Sequence, residues 1–150
     1  PMLTDFMAAI SPSDGANRQL RERSLMVSVD NAHAVHPNFS DKHDDNHGPL
    51  LNGGPVIKIN RNQRYATSGE GAALIRLLAE RSDVPVQTFV VRTDLGCGST
   101  IGPITATETG IPTIDLGVPT LGMHSIRELA GSRDPDYLNS LLVGFLNRLA

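Results

Sequence analysis

The chain has 150 residues, 39% of them hydrophobic and 4% aromatic, enough for one domain with a real core. A formal net charge of −3 and a pI near 5.9 exclude the electrostatic footprint of a nucleic-acid binder. A single cysteine, Cys97, excludes an internal disulfide framework and fits a reducing compartment.

No apolar run reaches the roughly 20 residues that span a bilayer, and no signal-peptide pattern opens the chain. The expectation is a soluble, cytoplasmic protein without membrane or nucleic-acid partners. Pro1-Met2-Leu3 enters a helical pattern with no capping segment before it, which reads as a cut inside a larger domain or as removal of an initiator Met. Leu3, Phe6, Met7 and Ile10 recur at i, i+3, i+4 and i+7, which predicts a helix with one buried face. Ser11-Pro12-Ser13-Asp14-Gly15 stops it. Asn17 to Ser24 is polar and basic, a helical turn or a surface connection.

Leu25 to Val29 predicts the first strand, and Asp30 follows it directly. A carboxylate just past a buried strand is held by the sheet yet faces the crevice where α/β proteins bind ligands. Residues 30–54 form a long irregular segment carrying His33, His36, His43 and His47 among Asp41, Asp44 and Asp45. Pro37 keeps it from becoming a long helix. Imidazole with carboxylate suits zinc, cobalt or manganese better than calcium. A metal or catalytic site and a solvated His/Asp loop are both open here, and for Asp41 to His47 the solvated loop is the expectation.

Pro55 to Asn60 predicts a strand with Val56, Lys58 and Asn60 on one face. Lys58 is then either an ammonium placed by a rigid element or a snorkelling surface lysine. Thr67-Ser68-Gly69-Glu70 fits a capping box with Thr67 at the cap, opening a helix whose stripe is Leu74, Ile75 and Leu78 and which ends near Ser82. Val86 to Val91 predicts another strand. Glycines at 96, 98 and 102 miss the dinucleotide fingerprint by one residue, so a tight strand-to-helix turn is expected, with Pro103 in the first helical turn. Backbone N–H groups at such a start can hold a carboxylate. Cys97 has no adjacent base and is expected as a small packed thiol.

Gly110 closes that helix, and Ile111 to Leu116 predicts a strand whose Asp115 needs a partner if buried. His124 lies in the loop beyond, facing the crevice of Asp30 or simply polar at the surface. Asp134-Pro135 is expected to cap a last helix with the stripe Leu138, Leu141, Leu142, Phe145 and Leu149. Alternating strands and helices predict an α/β layered domain.

Four collinear blocks carry a specific resemblance. They are Ser28-Val29-Asp30-Asn31-Ala32-His33-Ala34-Val35-His36-Pro37-Asn38 with Lys42-His43 and His47, then Val56-Ile57-Lys58-Ile59-Asn60 with Gln63-Arg64-Tyr65-Ala66. Cys97-Gly98-Ser99-Thr100-Ile101-Gly102-Pro103-Ile104 and Met123-His124-Ser125-Ile126-Arg127-Glu128 complete the set. Together they resemble the C-terminal part of the catalytic domain in the aspartyl aminopeptidase family of binuclear metallopeptidases.

The resemblance implies a zinc-peptidase-like α/β fold, a layered sheet with helices on both faces. It implies a metal-dependent aminopeptidase that removes N-terminal Asp or Glu from peptides through water activated by two divalent ions, zinc foremost, with cobalt or manganese as alternatives. Asp30 matches a ligand of one metal and His124 a ligand of the other. His33, Lys58 and Tyr65 match substrate-contacting positions, Lys58 being suited to the acidic side chain, and the Gly96 to Gly102 turn is expected to line that pocket. No catalytic base is expected in this chain. The family's general base, its remaining metal ligands and its inserted oligomerisation domain are expected upstream of Pro1, and the complete enzyme is expected as a homo-oligomer, typically a dodecamer. Residues 1–150 are thus expected to be inactive alone. Two rival readings stand beside this one: a non-catalytic module that assembles with a partner segment, and a metal-buffering module using His36, His43 and His47.

Overall fold

The computed structural model describes residues 2–148. Helices α1 (Met2–Ile10) and α2 (Asp14–Glu22) lead into strands β1 (Met26–Val29) and β2 (Ala32–His33). A short 3-10 helix (Pro37–Lys42) follows, then β3 (Val56–Ile59), α3 (Gly69–Arg81), β4 (Gln87–Val90) and α4 (Ile101–Thr109). The chain ends with β5 (Thr113–Gly117), β6 (Pro119–Leu121), β7 (Leu129–Ala130) and α5 (Asp134–Arg148).

The main sheet has the order β1-β5-β3-β4. Its outer pairs are parallel and the central β3–β5 pair is antiparallel. Side chains alternate across a strand, so Ile57, Ile114 and Leu116 share a face and pack on Ile75, Leu78, Leu141 and Phe145 of α3 and α5. Lys58 and Asp115 fall on the opposite face, where α4 comes close enough that a Cβ on Gly102 would lie 2.3 Å from the Asp115 carboxylate. Ala32, Val56, Tyr65 and Phe89 form a second apolar cluster, with Val91 and Cys97 against it. The layered α/β arrangement with helices on both faces is the one expected. A small sheet of order β2-β6-β7 extends it.

One close approach shapes the end of β1. The Asp30 carbonyl oxygen lies 1.7 Å from where a Cβ on Gly117 would sit. Backbone bonds from Asp30 N–H to Leu116 O (3.0 Å) and from Ala32 N–H to Val118 O (2.8 Å) hold the chain there. Glycine is required at 117 by space, since backbone cannot move aside as a flexible side chain would.

Several local expectations change in the structure. The stripe of α1 finds little to cover it among the described residues: only Met7 is buried, while Phe6 is 59% and Ile10 55% exposed. Residues 14–22 form a complete helix, with the Ser13 hydroxyl accepting from Ala16 N–H at its start (3.2 Å). The cap of α3 is Ser68, whose hydroxyl accepts from Gly71 N–H at 3.0 Å. Thr67 is drawn away to β5, accepting from Asp115 N–H at 2.9 Å. Asp134 serves a different segment from the one expected. Its carboxylate accepts from Asn52 N–H (2.7 Å) and Gly54 N–H (2.9 Å), pinning the loop that leads into β3. Leu141 and Phe145 of the α5 stripe are buried, and Leu149 lies outside the described residues. Gly110 closes α4 in the left-handed conformation (φ 70°), as its position implied. Among the described residues no helix is long and apolar enough to cross a membrane.

Candidate active site

Lys58 is the centre of the candidate site. Strand alternation places it on the α4 side of β3, and it is 1% exposed, so the snorkelling alternative does not describe it. Its Nζ donates to the Asn31 carbonyl at 3.0 Å and the Asp30 carbonyl at 3.4 Å. The ammonium also stands 5.4 Å from the centroid of the Tyr65 ring, within cation–π range. No carboxylate among the described residues forms a contact ion pair with it. Burial lowers its pKa, and the charges of Asp30, Asp115 and Cys97 oppose that shift.

Two irregular segments flank the lysine, the loop carrying Tyr65 and the turn carrying Cys97. Tyr65 is 7% exposed. Burial raises the pKa of its phenol, reinforced by a hydrogen bond with Cys97 and by the charges of Cys97, Asp115 and Asp30. Cys97 is partly buried and packs on the second apolar cluster, the packed thiol that was expected. The partners that Asp115 needed are present: Ala66 N–H donates to its Oδ2 at 2.6 Å and the Thr100 hydroxyl to its Oδ1 at 2.7 Å.

Asp30 directly follows β1 with its side chain exposed, and its Oδ1 accepts from Asn31 N–H at 2.7 Å. His33, at the end of β2, lies 6.2 Å from Phe89 between ring centroids. Its pKa is lowered by burial first, then by His43, His124 and Lys58. His124 is exposed and left-handed (φ 65°), in a segment tied to the Asp30 segment by the Asn31 amide donating to Glu128 Oε1 at 2.9 Å. Asp30, His33, Lys58 and Tyr65 therefore gather around the ends of β1, β2 and β3, with His124 in electrostatic reach of His33. Of these, His33 lines a cavity of about 490 Å³, together with His36, Phe89, Leu121 and Met123 among others.

The remaining histidines go separate ways. His36 Nδ1 accepts from Asn38 N–H at 3.1 Å, and His47 pairs with Asp44 at 2.9 Å in a largely exposed loop. Among the described residues no group of three or more His, Cys, Asp or Glu side chains is placed to hold a metal. Asp30 and His124 are donors of the nitrogen and oxygen type that zinc takes, but a catalytic zinc has about three protein ligands. The donor set of this chain fits a share of a metal site rather than a whole one.

Sequence reading names two organising carboxylates, Asp115 and Asp134, but not the segments they join. Asp115 announced itself only as a charge inside an apolar run. Asp134 looked like an ordinary helix cap, and nothing local pointed to its loop partners.

The fold is that of a part of an M18 aminopeptidase. A cryo-EM structure of the Ape4 and Nbr1 complex superposes with a TM-score of 0.93 at 43% identity, covering 100% of this chain and 29% of that one. The crystal structure of yeast aminopeptidase 1 superposes with a TM-score of 0.74 at 37% identity, over 84% of this chain and 27% of that one. In sequence, a probable M18 family aminopeptidase 2 of Pseudomonas aeruginosa (strain UCBPP-PA14) is 59% identical over 145 residues, 97% of this chain and 34% of the relative. The chain belongs to the aminopeptidase I zinc metalloprotease family (M18), whose pattern matches residues 1–146. It spans about a third of the length of the curated relatives it matches.

Proposed function

We propose that this chain is the C-terminal portion of the catalytic domain of a binuclear metallo-aminopeptidase that removes N-terminal acidic residues, Asp or Glu, from peptides. The observation that carries the reading is the buried Lys58 ammonium, held by two carbonyls and without a contact ion pair among the described residues. A cation withdrawn from water attracts a carboxylate more strongly than a solvated one does. Lys58 receives the acidic side chain of the substrate, and Tyr65 and His33 flank it. Asp30 and His124 each contribute one ligand to one of two divalent ions, zinc in the first place, with cobalt or manganese as alternatives. When bound, such ions supply Lewis-acid polarisation of the scissile carbonyl and a lower pKa for the attacking water. The general base and the other ligands belong to parts of the M18 catalytic domain that this chain does not span.

In this reading the complete protein is a cytoplasmic homo-oligomer. A solved relative at 37% identity is a dodecamer, that of Saccharomyces cerevisiae mApe1, which favours the same assembly here. The rival reading, a non-catalytic assembly module, is favoured by the exposed apolar face of α1. Metal titration separates the two: two ions bound tightly once the rest of the domain is supplied support the enzyme, and assembly indifferent to metal supports the module.

The test compares Asp- and Leu-linked chromogenic substrates. The 150-residue chain with zinc should turn over neither. In an enzyme of the relatives' full length, Lys58→Ala should lower kcat/KM for the acidic substrate by about 10- to 100-fold more than for the neutral one, as loss of a charge-assisted contact requires. An equal loss on both refutes the assignment of Lys58.

A further inference from the structure

We infer that Asp115 is a positioning residue: its buried carboxylate clamps the Tyr65 loop and the Cys97–Thr100 turn together, so that they close over the Lys58 ammonium from two sides. The inference rests on the reading of Lys58 given above and adds the residue that sets the shape of its recess.

Asp115 is 0% exposed, yet both of its carboxylate oxygens accept from segments outside its own strand. Oδ2 takes the Ala66 N–H (2.6 Å), next to Tyr65, and Oδ1 takes the Thr100 hydroxyl (2.7 Å), three residues from Cys97. Thr67 adds a backbone link, accepting from Asp115 N–H at 2.9 Å. Gly102 leaves the room: any side chain there would strike the carboxylate, with a Cβ 2.3 Å from Oδ1. The two segments so joined share no strand ladder, and a direct bond between them, from the Ser99 hydroxyl to the Arg64 carbonyl, is exposed and long at 3.3 Å. β3 and β5 run antiparallel with Ile57 opposite Leu116, and the same register carried one residue further sets Asp115 across from Lys58. The clamp is thus anchored on the strand beside the lysine.

A buried charge is costly, and an apolar residue of similar volume commonly packs as well or better. What an apolar residue lacks is the ability to hold two loops that arrive from different directions. Thr100 makes this visible at its own helix: it sits at the N-cap of α4 but makes no side-chain capping bond, its hydroxyl being committed to Asp115. Two charge-assisted hydrogen bonds in a dry site define geometry more tightly than apolar contact does.

The test uses Thr100→Val, which removes one hydroxyl at nearly constant shape, with Thr100→Ser as the conservative control and Asp115→Asn as the direct variant. Two readouts are taken. In an enzyme of full M18 length, Thr100→Val should lower kcat/KM for an Asp-linked substrate about ten-fold more than for a Leu-linked one, chiefly through KM. In the same enzyme, the reaction of Cys97 with a thiol reagent, followed on its own peptide by mass spectrometry, should be several-fold faster in Thr100→Val. Thr100→Ser should restore both, which a loss of folding would not do. Equal loss on both substrates, or an unchanged thiol rate in Thr100→Val, overturns the clamp. A wild-type enzyme with no acidic preference would sink the proposed function instead, and the Cys97 rate would still decide whether Asp115 holds the turn. Should Asp115→Asn fail to fold, Thr100→Val and Thr100→Ser carry the decision.

Discussion

The loop from Asp41 to His47 and the face of the sheet beneath α4 hold the same kinds of side chain and treat them in opposite ways. In the loop, Asp44 and His47 form a pair at 2.9 Å with side chains 29% and 40% exposed. Water screens such a pair, and it contributes little. Beneath α4, Asp115 is fully buried, bound by groups from two other segments, and lies beside a buried lysine. Asp134 repeats the pattern on the loop that feeds β3. Between Asp41 and His47 a high density of His and Asp therefore goes with a solvated loop, as expected, and not with an enclosed site. One carboxylate enclosed by the fold organises more of the molecule than the run of charged and imidazole side chains from Asp41 to Asp45 at its surface.

The contrast breaks or sharpens under substitution. The largest effect is expected at Gly117, where an added methyl would lie 1.7 Å from the Asp30 carbonyl oxygen. Gly117→Ala should cost about 3 kcal/mol or more in urea unfolding, because overpacking against backbone leaves nothing to yield. A cost under about 1 kcal/mol would mean that the end of β1 is not held as tightly as described.

Next comes Asp134→Ala. It leaves the N–H groups of Asn52 and Gly54 without their acceptor, Asn52 being already left-handed at φ 62°. A loss of about 2–3 kcal/mol is expected in the same titration, with Asp134→Asn less harmful. A change indistinguishable from that of a surface carboxylate would erase the comparison.

The smallest effect is expected at Asp44. Its hydrogen bonds to His47 hold its carboxyl below the ordinary value of 3.8. A carboxyl depressed in the folded state stabilises above its unfolded value, and that contribution is lost as pH falls through the lower folded value. Wild type and Asp44→Asn should therefore differ slightly above about pH 4 and converge in stronger acid. A large difference at neutral pH would show the loop to be more than a solvated surface.

The recess around Lys58 is only half legible in the sequence. Alternation along Pro55 to Asn60 put Lys58 on a definite face, but whether that face met water depended on Tyr65, Phe89 and Ala32 arriving from three other places. The α3 cap shows the same division. Thr67 and Ser68 are adjacent hydroxyls, either able to cap, and the choice between them was made by β5, which takes Thr67 for itself. For α1, the apolar period specifies the helix, while the fate of its apolar face is not a property of those nine residues.

Sequence by itself determined the elements with strong period, the α/β class and, through four collinear blocks, membership of the M18 family. These are properties of order along the chain, and order survives without coordinates. Only the tertiary structure decided that Lys58 is buried, that Asp115 joins two loops and that Asp134 serves a distant turn. Burial and hydrogen-bond partnership are set by which remote segment arrives, and a carboxylate or ammonium carries no local mark of the neighbour it will meet.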